Sequence, residues 1–234
     1  MKYKLLAILS LSLLASMAIA AGGGVKVPKN DGPKGDAQAG KALVQSCTAC
    51  HGADGNSASP AFPKLAGQNE RYLVKQMEDI LCGNKPIEEQ QATKCSPRAV
   101  PTMAGQLEPM SEQNILDMAA FYASQPISGG QAKPDLVALG ESIYRGGIPS
   151  KGVAACAACH SPSGQGNAPA GYPSLGGQHS DYIAQQLKAF RDAQDYNDGR
   201  GRMNDGETKV MRMIAYPMSN SEIEAVSSYI SGLN

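Results

Sequence analysis

Cysteine, histidine and methionine carry the chemistry of this chain. Cys47-Thr48-Ala49-Cys50-His51 and Cys156-Ala157-Ala158-Cys159-His160 repeat one CxxCH pattern. Two thiols three positions apart can add to the two vinyl groups of one haem, and the adjoining histidine then faces the iron as its proximal ligand. A thioredoxin-type CxxC is one rival, but it follows a strand in a βαβ unit, and no such pattern is present. Half of a zinc site is the other, and it would need both pairs to share one metal although each sits in its own repeat. The expectation is two covalently bound haem c groups, attached through Cys47, Cys50, Cys156 and Cys159, with iron on His51 and His160.

Counting constrains the second axial ligand. The chain has three histidines and ten methionines. With His51 and His160 used, His179 alone cannot serve both irons, so methionine or an open site remains. Two methionine pairs recur symmetrically in the repeat: Met103 with Met211, and Met110 with Met218. Met110 and Met218 immediately precede a serine that can cap the last helix, where a hydrophobic staple explains them. Met103 and Met211 lie one loop earlier, with more freedom to turn inward. The residues alone leave both pairs open.

The elements that position these groups also come in two copies. The CxxCH motifs are 109 residues apart; Leu65-Ala66-Gly67-Gln68 and Leu175-Gly176-Gly177-Gln178 are 110 apart, and Pro109-Met110-Ser111 and Pro217-Met218-Ser219 are 108 apart. So small a drift means duplication with minor loop changes. Each unit reads as a short helix (37–46, 135–145) leading into the CxxCH, a Gly/Pro/Ser loop, an amphipathic helix (70–81, 181–193) and a last helix after Ser111 or after Ser219 or Asn220. No run alternates with period two, so the expected fold is all-α in two tandem domains, 37–125 and 135–234, joined by a Pro/Gly-rich linker at 126–134.

Composition fits this reading. There are 26 Gly and 15 Pro against 3 Phe, 9 Tyr and no Trp, so protein cores are thin and a bound group would fill them. Basic and acidic residues both number 21; without a strong field, nucleic acid is not an expected partner. Lys2 and Lys4, an apolar stretch from Leu5 and the small residues Ala18-Ile19-Ala20 predict a signal peptide at 1–20, followed by a flexible leader at 21–36. No other stretch is long enough to span a membrane. The mature chain is expected in the periplasm, with room for peripheral membrane association.

The sequence resembles the cytochrome c4 family, dihaem proteins of two class I cytochrome c domains. The likeness runs from about residue 36 to 234. It rests on Cys47 to Asn56, Phe62 to Gln68 and Arg71-Tyr72, then on Cys156 to His160, Tyr172 to His179, Asn197-Asp198-Gly199 and the ending Ile223 to Ile230. The resemblance implies Met103 and Met211 as axial ligands, because the family usually carries leucine at the places of Met110 and Met218. It implies that the Pro63 and Pro173 carbonyls accept the other ring proton of His51 and His160. His179 is expected to be a structural hydrogen-bonding residue. Tyr72 with Gln76, and Tyr182 with Gln186, are expected to pack helices against haem edges. Cys82 and Cys95 depart from the family pattern; in an oxidising compartment a disulfide is the default and free thiols the alternative.

The implied function is a periplasmic electron carrier, not an enzyme, taking electrons from a bc1-type complex or other donor and passing them to a terminal oxidase. The implied arrangement is two lobes about a pseudo-twofold axis with haem propionates near the interface. Two rivals are a dihaem subunit of a dehydrogenase, as in flavocytochromes, and a dihaem peroxidase with one open iron.

Overall fold

The computed structural model describes residues 34–93, 95–195 and 201–233. The expected signal peptide, leader residues 21–33 and Asn197-Asp198-Gly199 lie outside the described residues. The first lobe contains α1 (Ala37–Leu43), a 3₁₀ turn (Val44–Cys47), α2 (Thr48–His51), α3 (Glu70–Gly83), α4 (Ile87–Thr93), a 3₁₀ turn (Pro101–Met103) and α5 (Glu112–Ala123). The second contains 3₁₀ turns at Pro134–Leu136 and Pro149–Lys151, α6 (Val137–Gly146), α7 (Ala157–His160), α8 (Ser180–Asp195), α9 (Val210–Ala215) and α10 (Asn220–Ser231). Among the described residues there is no strand, only isolated bridges at Ile148–Val153 and Asn167–Tyr172.

Each lobe is built on a crossing of its first and last helices. A Cβ on Gly40 would stand 2.0 Å from the Asp117 carbonyl oxygen, and one on Gly140 would stand 2.3 Å from that of Ala225. Only glycine lets α1 meet α5, and α6 meet α10, backbone to backbone. Capping fixes where these helices begin. Asp36 accepts from the Gln38 and Ala39 amides, and Ser111 with Asn114 and Ser219 with Glu222 form capping boxes. Two separate apolar clusters result. One gathers Val44, Leu73, Ile115, Met118 and Phe121, the other Ile143, Ile183, Ile223, Val226 and Ile230.

Several expectations are corrected. Residues 34–36, assigned to the leader, are docked: the Asp36 amide donates to Asp117 Oδ1 and the Lys34 carbonyl accepts from Gln113. In the second lobe the first helix does not run into the CxxCH. The matched glycines are 100 apart but the motifs 109, and the nine additional residues form the turn closed by Ile148 and Val153. The linker is tied down, since Asn56 bonds both the Pro126 carbonyl and the Ser128 amide. Helices α4 and α9 were not expected. The expected amphipathic helix α3 is joined near its C-terminal end by the Cys82–Cys95 disulfide to the loop after α4.

Tyr72, Gln76, Tyr182 and Gln186 bridge the lobes. Arg98 donates to Gln76 in its own lobe and to Tyr182 and Gln186 in the other. Arg202 does the reverse, donating to Gln186 in its own lobe and to Tyr72 and Gln76 across. Asn204 bonds Gln76 and Asp79, and Asp79 also pairs with Lys75. These side chains, expected to pack helices against haem edges, meet two arginines from opposite lobes.

Candidate metal centres

Each CxxCH lies on a single helical turn that ends at its histidine. After His51 the chain leaves the helix at Gly52, with φ 79° and ψ 161°. After His160 the same turn is made by Ser161, with φ 65° and ψ 158°, a region in which a side chain is strained. The Ser161 carbonyl accepts from the Tyr144 hydroxyl at 2.6 Å, which holds the turn.

Both imidazoles are buried, with 7% of their surface exposed. His51 Nδ1 lies 2.9 Å from the Pro63 carbonyl and His160 Nδ1 lies 3.0 Å from that of Pro173. A carbonyl can only accept, so each Nδ1 carries the proton and each Nε2 is the bare nitrogen, the form a metal takes. Burial pulls both histidines below their ordinary pKa against the opposing carbonyl bond, keeping the rings neutral. Phe62 and Tyr172 stand edge-on to the two rings at 6.2 and 6.0 Å between centroids.

The thiols suit covalent attachment better than redox exchange. Cys47, Cys50, Cys156 and Cys159 are outside any disulfide, while burial pushes the Cys156 thiol up to about 11, the opposite of an activated thiolate. Among the described residues no group of three or more His, Cys, Asp or Glu side chains could hold a metal ion, which is against the zinc reading. In the first lobe the Tyr122 hydroxyl is buried without a hydrogen-bond partner. Cys47 lies next to this hydroxyl, and a buried hydroxyl left unpartnered beside a CxxCH cysteine fits a core completed by a bound group.

Met103 closes its 3₁₀ turn, half-buried against the first core. Met211 sits in the first turn of α9, also half-buried. Both therefore lie on short helical turns, where free loops were expected. Met218 is 4% exposed inside the second core, and Met110 packs against the first. His179 lies between the lobes, with Nε2 at 2.9 Å from the Ser57 hydroxyl and 3.0 Å from its carbonyl.

The residues that motif reading missed are the glutamines of the repeated LxGQ segments. Gln178 Oε1 accepts from the Lys64 amide and its Nε2 donates to the Lys64 carbonyl, at 2.9 and 2.8 Å. Gln68 grips Ser174 in the same two ways, both at 2.8 Å. Their repetition was visible in sequence; that each reaches the opposite lobe was not.

Two helical lobes, each with one CxxCH turn and one carbonyl-anchored imidazole, define a c-type cytochrome with two haem sites. The profile of the family described as Cytochrome c matches residues 37–125 and again 139–234. Cytochrome c4 of Azotobacter vinelandii is 51% identical over 200 residues, covering 86% of this chain and 90% of that protein. The crystal structure of reduced recombinant cytochrome c4 from Pseudomonas stutzeri matches with a TM-score of 0.78 at 50% identity, covering 86% of this chain and 100% of that one. A more distant relative, the thiosulfate dehydrogenase electron acceptor of Stutzerimonas stutzeri (strain A1501), is 32% identical over 225 residues, 95% of this chain and 91% of that protein. The chain belongs to the cytochrome c family and, within it, to the cytochrome c4 family, and it carries two covalent haem c groups.

Proposed function

We propose that this chain is a periplasmic dihaem electron carrier, with domains at 37–125 and 135–234 joined by 126–134 and an export signal at 1–20. Cys47 and Cys50 attach one haem and His51 with Met103 hold its iron; Cys156, Cys159, His160 and Met211 do the same in the second lobe. When bound, each haem supplies a one-electron ferric–ferrous couple whose potential a neutral methionine ligand raises. The protein's part is to keep the ligands still. The Pro63 and Pro173 carbonyls fix the imidazole planes and tautomers, and burial excludes water from the rings. Ligands that do not move between oxidation states keep reorganisation small, which suits electron transfer rather than substrate turnover.

The observation that carries this reading is the duplicated anchored imidazole, one per lobe. Among the described residues no helix is long and apolar enough to cross a membrane. Its donor is a bc1-type complex or another quinol-linked source, and its acceptor a terminal oxidase. A dihaem cytochrome subunit of a dehydrogenase is the second reading, favoured by the likeness to the thiosulfate dehydrogenase electron acceptor.

The test adds purified holoprotein to respiratory membranes stripped of soluble cytochromes. Quinol should reduce it in a bc1-inhibitor-sensitive manner, and cyanide should block its reoxidation. Isolation from the native source in a permanent complex with a dehydrogenase, with no exchange with membranes, would replace the carrier by the subunit reading.

A further inference from the structure

The two proximal histidines are each connected to the opposite lobe through one peptide group. His51 Nδ1–H donates to the Pro63 carbonyl at 2.9 Å, and the amide of that same peptide, Lys64 N–H, donates to Gln178 Oε1 at 2.9 Å. In the other direction His160 Nδ1–H donates to the Pro173 carbonyl at 3.0 Å, and Ser174 N–H donates to Gln68 Oε1 at 2.8 Å. Each glutamine amide also donates back to the residue it grips, so its plane is fixed. Gln178 and Gln68 are 6% and 8% exposed, so water does not substitute for them.

Hydrogen bonds in series through a peptide polarise one another. An amide that donates makes its own carbonyl a stronger acceptor. A stronger acceptor on Nδ1–H makes the imidazole a more basic ligand, and a more basic ligand favours ferric iron. We propose that Gln178 is a positioning and tuning residue for the haem on His51, and Gln68 for the haem on His160, so that each lobe sets part of the other's reduction potential. This rests on the haem ligation proposed above. The couple involved is one electron onto ferric iron giving ferrous iron, delivered by a soluble one-electron mediator, with no proton leaving the chain.

The chains are alike but the gripped residues differ. Lys64 is buried, and its ammonium donates to the Ser128 and Gly177 carbonyls at 2.6 and 2.9 Å, whereas Ser174 brings no charge. Gln178 therefore shares its grip on the Lys64 segment with that ammonium, and Gln68 shares its grip on the Ser174 segment with Asn69, whose Nδ2 donates to the Tyr172 carbonyl at 2.7 Å.

The test is a redox titration of full-length holoprotein carrying Gln178→Met or Gln68→Met. The two haems are distinguished by NMR of the His51 and His160 ring protons. Gln178→Met should raise the ferrous-to-ferric ratio of the His51 haem about threefold at fixed ambient potential, about 28 mV at about 59 mV per tenfold, and leave the His160 haem nearly unchanged. Gln68→Met should shift the His160 haem instead, in the same direction. Both residues lie at one interface, so a merely structural role would give the same pattern from both variants. Equal shifts at the two haems, shifts confined to the mutated residue's own lobe, or no shift would overturn the proposal. A methionine lost from either iron would appear separately as loss of its charge-transfer band, and would overturn the ligation rather than the crossed tuning.

Discussion

A histidine beside a pair of cysteines is legible in any sequence, and here it leads directly to both attachment sites proposed above. The partner of its second nitrogen was legible only through family likeness, because Pro63 lies 12 residues away from His51 and nothing in a loop's composition states which carbonyl turns inward. His179 shows a further limit: counting excluded it as a ligand for both irons, but its contact with Ser57 joins positions 122 residues apart. Burial, assisted by Lys64 and opposed by the Ser57 carbonyl, pulls its pKa below 6.5. A histidine harder to protonate folded than unfolded contributes stability that is intact above about pH 6.5 and declines as pH falls from there towards the folded value. His179→Asn, which copies its repeat partner Asn69, should remove this component from a stability-versus-pH series measured by denaturant unfolding. Ser161 offers a second residue-scale prediction. Its φ of 65° and ψ of 158° suit glycine, the residue at the matching Gly52, so Ser161→Gly should stabilise the second lobe by about 1 kcal/mol. The gain would be read as a higher unfolding midpoint.

The helices α3, α8, α5 and α10 were anticipated within a few residues, because α3 and α8 carry an amphipathic pattern and α5 and α10 start at a serine cap. The short ones escaped for a physical reason. Helix α4 buries none of its residues, so it has no apolar period to read, and α9 spans only six residues. Helix α4 lies within the loop that the Cys82–Cys95 disulfide closes, with a sequence separation of 13. That loop leads to Arg98, whose amide donates to the Asp79 carbonyl and whose carbonyl passes so close to Gly83 that a Cβ there would be 2.4 Å away. Replacing both cysteines by serine should therefore destabilise the protein by roughly 3 kcal/mol through the freed loop. A denaturant titration of the holoprotein would check this; an unchanged midpoint would contradict it.

At the scale of the molecule, duplication could be read from the offsets, but not the surface along which the copies meet. The polar contacts that join them include the reciprocal glutamine grips and the exchange in which Arg98 and Arg202 each reach a tyrosine and a glutamine of the other lobe. Buried hydrogen bonds to charged donors are costly to leave half-made. Arg98→Ala combined with Arg202→Ala should consequently uncouple the lobes, turning a single calorimetric transition into two; a single unchanged transition would show that the arginines do not couple them. The account as a whole stands on both irons being closed by histidine and methionine. Its most direct test is the absorption spectrum of the purified holoprotein, with haem counted per chain and carbon monoxide added to the reduced form. Two haems per chain, a methionine-to-ferric-iron charge-transfer band and no carbon monoxide adduct are predicted. Rapid carbon monoxide binding at one haem would mean an open iron, and would contradict the assignment of Met103 or Met211 in that lobe.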